Sequence, residues 1–212
     1  MKLIRIIIVA LVVILLTAGA GFWYWTTTPQ YSLEQIKDAV VEHNVSKFQM
    51  YFNADEVASS MVKDLMDSEL RKPLGGEVLE RFLSSGMVSE STIQHEVASG
   101  IANDIKMLVE TGSFSAPGES LADKVSMAAL DQRLGIRTLS LKQVKSIKVN
   151  GSTATVTMLL HNGKFNTDLE MLGEMQNKDN YWQATRIVNI VDCFKKLFEL
   201  EKQNTKSPQS TQ

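Results

Sequence analysis

The chain has 212 residues, a formal net charge of −2, 44% hydrophobic and 22% charged residues, which excludes disordered and collagen-like classes. Charge is mixed along the sequence with no basic block, so nucleic-acid binding has no electrostatic support. The only cysteine is Cys193, which excludes an intramolecular disulfide and a thiolate zinc cluster; among apolar neighbours it reads as a small buried hydrophobe.

Lys2 and Arg5 precede an uncharged run from Ile6 to Trp25. As a helix, about 20 residues cover about 30 Å, the thickness of a bilayer's hydrocarbon core. The run closes on Phe22-Trp23-Tyr24-Trp25, rings that favour the headgroup region. Residues 1–25 are therefore expected to be a transmembrane anchor, with a cytoplasmic N-terminus and an extracytoplasmic remainder. A cleaved signal peptide is the competing reading, with residues 6–16 as its apolar region and Ala18-Gly19-Ala20 as the cleavage site. The apolar character continuing past Ala20 into four aromatic residues favours the anchor. No cysteine follows for lipid attachment, which excludes a lipoprotein. Residues 26–30 are the expected linker. It reaches at most about 18 Å, which holds the domain beside the lipid bilayer and near other envelope proteins.

Residues 31–202 are expected to form one extracytoplasmic α+β domain, its first half helical. Ser32 with Gln35 is a capping-box pattern, and Leu33, Ile36 and Val40 follow at helical spacing. A second start at Ser46 leads to Phe48 and Phe52, and a third at Asp55 leads to Val57, Met61 and Leu65. Pro73 and Gly75-Gly76 break the pattern. A short segment around Val78, Leu79 and Phe82 reads as a further helix. The clearest helix runs from about Ser89 to Glu110, with Ile93, Val97, Ile101, Ile105 and Leu108 on its stripe. Leu121, Val125 and Ala128 mark another, ending near Gly135.

The period then changes to two. Ala154, Val156, Met158 and Leu160 alternate with threonines, and Phe165, Leu169 and Met171 alternate with polar residues. Asn162-Gly163 between them predicts a two-residue type I′ hairpin turn, with positive φ at Gly163, Leu160 opposite Phe165 and Val156 opposite Leu169. A second turn at Asn150-Gly151 would set Ile147 opposite Ala154. A fourth strand is predicted near Tyr181–Val188 after the polar turn Asn177–Asn180. The product is a four-stranded antiparallel sheet with one wet and one dry face, the dry face covered by the helices. A last helix carries Ile190, Phe194 and Leu197, and residues 203–212 read as a disordered tail.

No sequence pattern carries catalysis. His43, His95 and His161 share no metal-ligand spacing, no serine sits in G-x-S-x-G, and Gly75-Gly76 lacks the residues of a phosphate loop. The chain's ten methionines fall on apolar stripes and read as core filler. No metal or other cofactor is expected, and no catalytic residue can be named. Arg186 is the one candidate ligand-binding residue. With Leu169 opposite Val188, the register turns Arg186 inward opposite Met171, where a guanidinium needs a carboxylate or an anionic ligand. A bulge after Ala184 would instead turn Ile187 inward and Arg186 out to solvent.

The segment Tyr31–Val40, with His43-Asn44 and Phe48–Phe52, resembles an uncharacterised bacterial family. Its members carry one N-terminal membrane helix, a helix reading roughly Y-S-L-x-Q-I-K-x-A-V, and a late strand like Tyr181–Asn189 of this chain. That resemblance implies no activity and no functional residue. Helices followed by a curved antiparallel sheet are also similar to the nuclear-transport-factor-2-like superfamily, which includes enzymes, small-ligand binders and membrane-anchored assembly subunits. Three classes of function stay open: an interaction or assembly module at the outer face of the membrane without catalytic activity, a small-ligand binding or sensing domain with a pocket between helices and sheet, and an acid–base enzyme in the same cavity.

Overall fold

The computed structural model describes residues 24–72, 74, 89–114 and 127–206. It is an α+β fold in which helices lie on one face of a four-stranded antiparallel sheet. The helices are α1 (Pro29–Val41), α2 (Val45–Tyr51), α3 (Ala54–Met66), α4 (Glu90–Thr111), α5 (Met127–Leu134) and α6 (Ile190–Lys206). The strands are β1 (Leu139–Asn150), β2 (Thr153–Asn162), β3 (Thr167–Asn177) and β4 (Trp182–Ile187), paired in the order β1-β2-β3-β4. The expected anchor, apart from Tyr24 and Trp25, and the expected helix around Val78–Phe82 lie outside the described residues. Among those residues, no helix is long and apolar enough to cross a membrane.

Local chemistry explains the helix ends. Thr28, Asn44, Asn53 and Ser89 cap α1, α2, α3 and α4, each side chain accepting from a backbone N–H in the first turn. Gly112 closes α4 in the left-handed region, with φ 72°. Helix α1 thus starts at Pro29, earlier than the capping-box pattern at Ser32 predicts. Ser32 is buried, and its hydroxyl accepts from the Trp182 backbone N–H at 2.9 Å. Most of the expected linker is ordered too. Thr27 and Thr28 close turns onto the carbonyls of Tyr24 and Trp25, and Trp182 Nε1–H donates to Thr27 O at 2.9 Å. At the other end, α6 continues to Lys206, into the segment expected to be a disordered tail.

Strands β2 and β3 keep their predicted faces but not their predicted register. Leu160 pairs with Leu169, Met158 with Met171, Val156 with Gly173 and Ala154 with Met175. Each partner lies further along β3 than a turn at Asn162-Gly163 allows. The connection is instead the longer loop 163–166, in which Asn166, at φ 47°, takes the left-handed conformation. Asn162 is fully buried and serves the loop as a side-chain hub, donating to Leu134 O and accepting from Phe165 N–H. The β1–β2 turn is also displaced by one position. Asn150 pairs with Thr153 and Ile147 with Val156, and Gly151 holds a φ of 60°. Because antiparallel partners share a face, both shifts preserve which residues point inward.

The main core joins α3, α4, α5 and α6 through residues such as Met61, Leu65, Ile101, Leu134, Phe194 and Leu197, and reaches the sheet at Leu169. A second cluster packs Leu33 and Ile36 of α1 on Ala154, Val156, Met175 and Trp182. A third joins Ala39, Phe48 and Val109. Val40, predicted on the buried stripe of α1, is exposed, because Ala39 takes the inward position.

Candidate functional site

The sheet edges are treated differently. At β4, Asn53 N–H donates to Ala184 O, and Gln183 reaches the carbonyls of Gln49 and Met50. Beyond the end of β4, the exposed backbone of β3 is closed by the start of α6. Asn189 donates to Glu170 O and accepts from Leu172 N–H, and Lys196 donates to Asp168 O. Among the described residues, strand β1 has no such cover.

Register shifts interrupt β1 between Leu141 and Gln143 and between Val144 and Ser146. A bulge inserts one residue and resets the alternation of faces. Here the inserted residues are Lys142 and Lys145. Their effect is to keep Leu141, Val144, Ile147 and Val149 opposite the inward residues Leu160, Met158, Val156 and Ala154. Leu141, Val144 and Val149 are nevertheless 52%, 38% and 56% exposed, because no helix among the described residues lies over them. An open groove of about 390 Å³ runs there between α1 and β1. Its walls include Leu33 and Lys37 from one side and Leu141, Val144 and Ile147 from the other; Gln30, Glu34, Lys145 and Ser146 complete the lining.

The outer face of the sheet carries an ion-pair ladder. Lys142 Nζ reaches Asp168 Oδ2 at 2.7 Å, His161 Nδ1 lies 2.8 Å from Asp168 Oδ1, and Lys145 pairs with Glu170. The Lys142 bond, then that of His161, holds the Asp168 carboxyl below its ordinary pKa. Ser140 sits opposite His161 in register, so serine, imidazole and carboxylate follow one another across three strands. The cluster lies on a half-exposed surface and is not part of the groove, and Lys142 already neutralises the carboxylate. No group of three or more metal-ligating side chains exists among the described residues. Cys193 is buried against Glu170 O, and desolvation pushes its thiol up to about 11.

Arg186 does not face Met171. A register shift between Glu174 and Met175 leaves Thr185 as the extra, buried residue and puts Arg186 opposite Glu174 and Ile187 opposite Gly173. Arg186 is exposed and holds Asp64 of α3 at 2.8 and 3.1 Å. Val188, expected on the dry face, is exposed beyond the strand end. The groove lining contains no residue predicted as a site. Its sequence signal is the broken alternation of Leu139, Leu141, Val144, Ile147 and Val149, in which steps of two and three residues mark the bulges.

Fold and site together define a class: a helix-covered antiparallel meander with an open apolar groove at its uncovered edge. No protein-family model, curated protein or solved structure matches this chain.

Proposed function

We propose that the chain is a non-catalytic interaction or assembly module, held at the outer face of a cytoplasmic membrane by residues 1–25, whose working surface is the groove between α1 and β1. The observation that carries this reading is the uncovered stripe of Leu141, Val144 and Val149, which two bulges keep on the inward side of the sheet. Apolar residues maintained on an uncovered face mark a contact surface. The order of helices and sheet suits the resemblance to the nuclear-transport-factor-2-like superfamily, as the segment Tyr31–Val40 suits the single-pass bacterial family. The groove volume favours a second reading, a site for a small apolar ligand. An acid–base enzyme has less support, because the histidine–carboxylate cluster lies outside the groove.

Fractionation of cells expressing the full chain tests the placement. The protein should sediment with membranes, resist extraction by high salt and be cut by protease added from the outer side. A soluble product beginning near Gly21 would replace the anchor with a cleaved signal.

A further inference from the structure

We infer that the α1–β1 groove takes an acyl chain of an anionic membrane phospholipid, with the headgroup phosphate beside Lys37; this rests on the membrane placement proposed above. The uncharged run that ends at Trp25 leads within a few residues to Gln30, where the groove begins. From Gln30 to Lys37 the groove follows about 10 Å of helix axis. Trp182 fixes this start by bonding Thr27 O with its ring and Ser32 with its backbone. The end of β1 lies at the same end of the sheet, because Asn177, which pairs with Trp182, also donates to Ser152 O. Exposed Val149, Tyr24 and Trp25 therefore lie toward one end of the sheet, the end from which the chain would leave a bilayer.

Charge supports the headgroup assignment. Lys145 is neutralised by Glu170, whereas Lys37, the other lysine of the lining, forms no salt bridge among the described residues. Glu34 is the one carboxylate in the groove lining. An apolar groove with a flanking cation is the chemistry that seats a protein surface on anionic lipid.

The test uses the full chain in nanodiscs of phosphatidylcholine with and without phosphatidylglycerol, with an environment-sensitive thiol dye on Val144→Cys. Thr155→Cys, on the outer face, is the control, and buried Cys193 stays in place. The expected result is blue-shifted emission and loss of iodide quenching at position 144 but not 155. The shift should be stronger with phosphatidylglycerol and reduced by Lys37→Glu. Equal quenching at 144 and 155 overturns the inference, even where fractionation places the chain in the membrane. Photo-crosslinking from position 144 to a protein in cells overturns it in favour of a protein partner and leaves the interaction-module reading standing. Failure to sediment with membranes would sink the placement itself.

Discussion

Asn162 uses both ends of its amide without access to water. Its nitrogen donates to Leu134 O, and its oxygen accepts from Phe165 N–H. Asn162→Ala leaves these buried groups unpartnered and should lower stability by about 2–3 kcal/mol, read from urea melts. Cys193 offers a probe of the same interior. Its raised pKa keeps the thiol neutral and its burial keeps reagents out, so iodoacetamide at neutral pH should modify it only after unfolding. The sign follows from linkage. The thiol's contribution is fully present below its ordinary value of 9.0 and is lost as pH rises toward about 11. Asp168 works in the opposite direction. Its depressed pKa contributes stability above the ordinary 3.8, lost as pH falls through the lower folded value. Asp168→Asn should flatten that part of the acid-unfolding profile, and unchanged acid sensitivity would remove the ladder from the account.

Between α5 and β1, Gly135 holds φ 65°, and an added Cβ would stand 2.5 Å from Lys164 Cβ. Gly135→Ala should therefore cost about 1–3 kcal/mol through strain and crowding. Gly163, predicted to need the left-handed region, does not occupy it. Its constraint is the milder approach of Thr138 Cβ at 3.3 Å. These two glycines show what could be read from the sequence. Alternation encodes faces, so Ala154, Val156, Leu169 and Met175 were assignable to the dry side. Register depends on loop closure, and nothing local distinguishes an asparagine that turns the chain from one whose side chain anchors a longer loop. The bulge beside Arg186 was foreseeable as an alternative, because Ile187 competes for the interior. The place of the groove at β1 was not, because it depends on which strand the described helices leave uncovered. The bulges in β1 make a further prediction: deleting Lys145 leaves Val144 and Ile147 on the same face with regular alternation. That variant should keep a cooperative melt and an unchanged far-ultraviolet spectrum.

At the scale of the whole molecule, three devices keep the sheet from templating further strands. Helices and side chains occupy the β4 edge, α6 seals the overhang of β3, and lysine-bearing bulges distort β1. The full chain should therefore bind partners through the groove face in preference to adding a strand, and β1 amides should remain open to hydrogen exchange in a complex.

Trp182 has one more consequence. Through Thr27 and Ser32 it joins the first described turns to the strand at the opposite end of the sequence, much as a pin joins a crank to its shaft. Rotation of the segment before Thr27 would then turn the sheet with it, and the domain would not swivel as on a string. Spin labels at Tyr24 and Thr155 should give one narrow distance distribution, and Trp182→Phe, which removes the indole donor, should broaden it. With the pin in place, torque on the N-terminal segment is gearing that presents one face of the domain at a set height and heading.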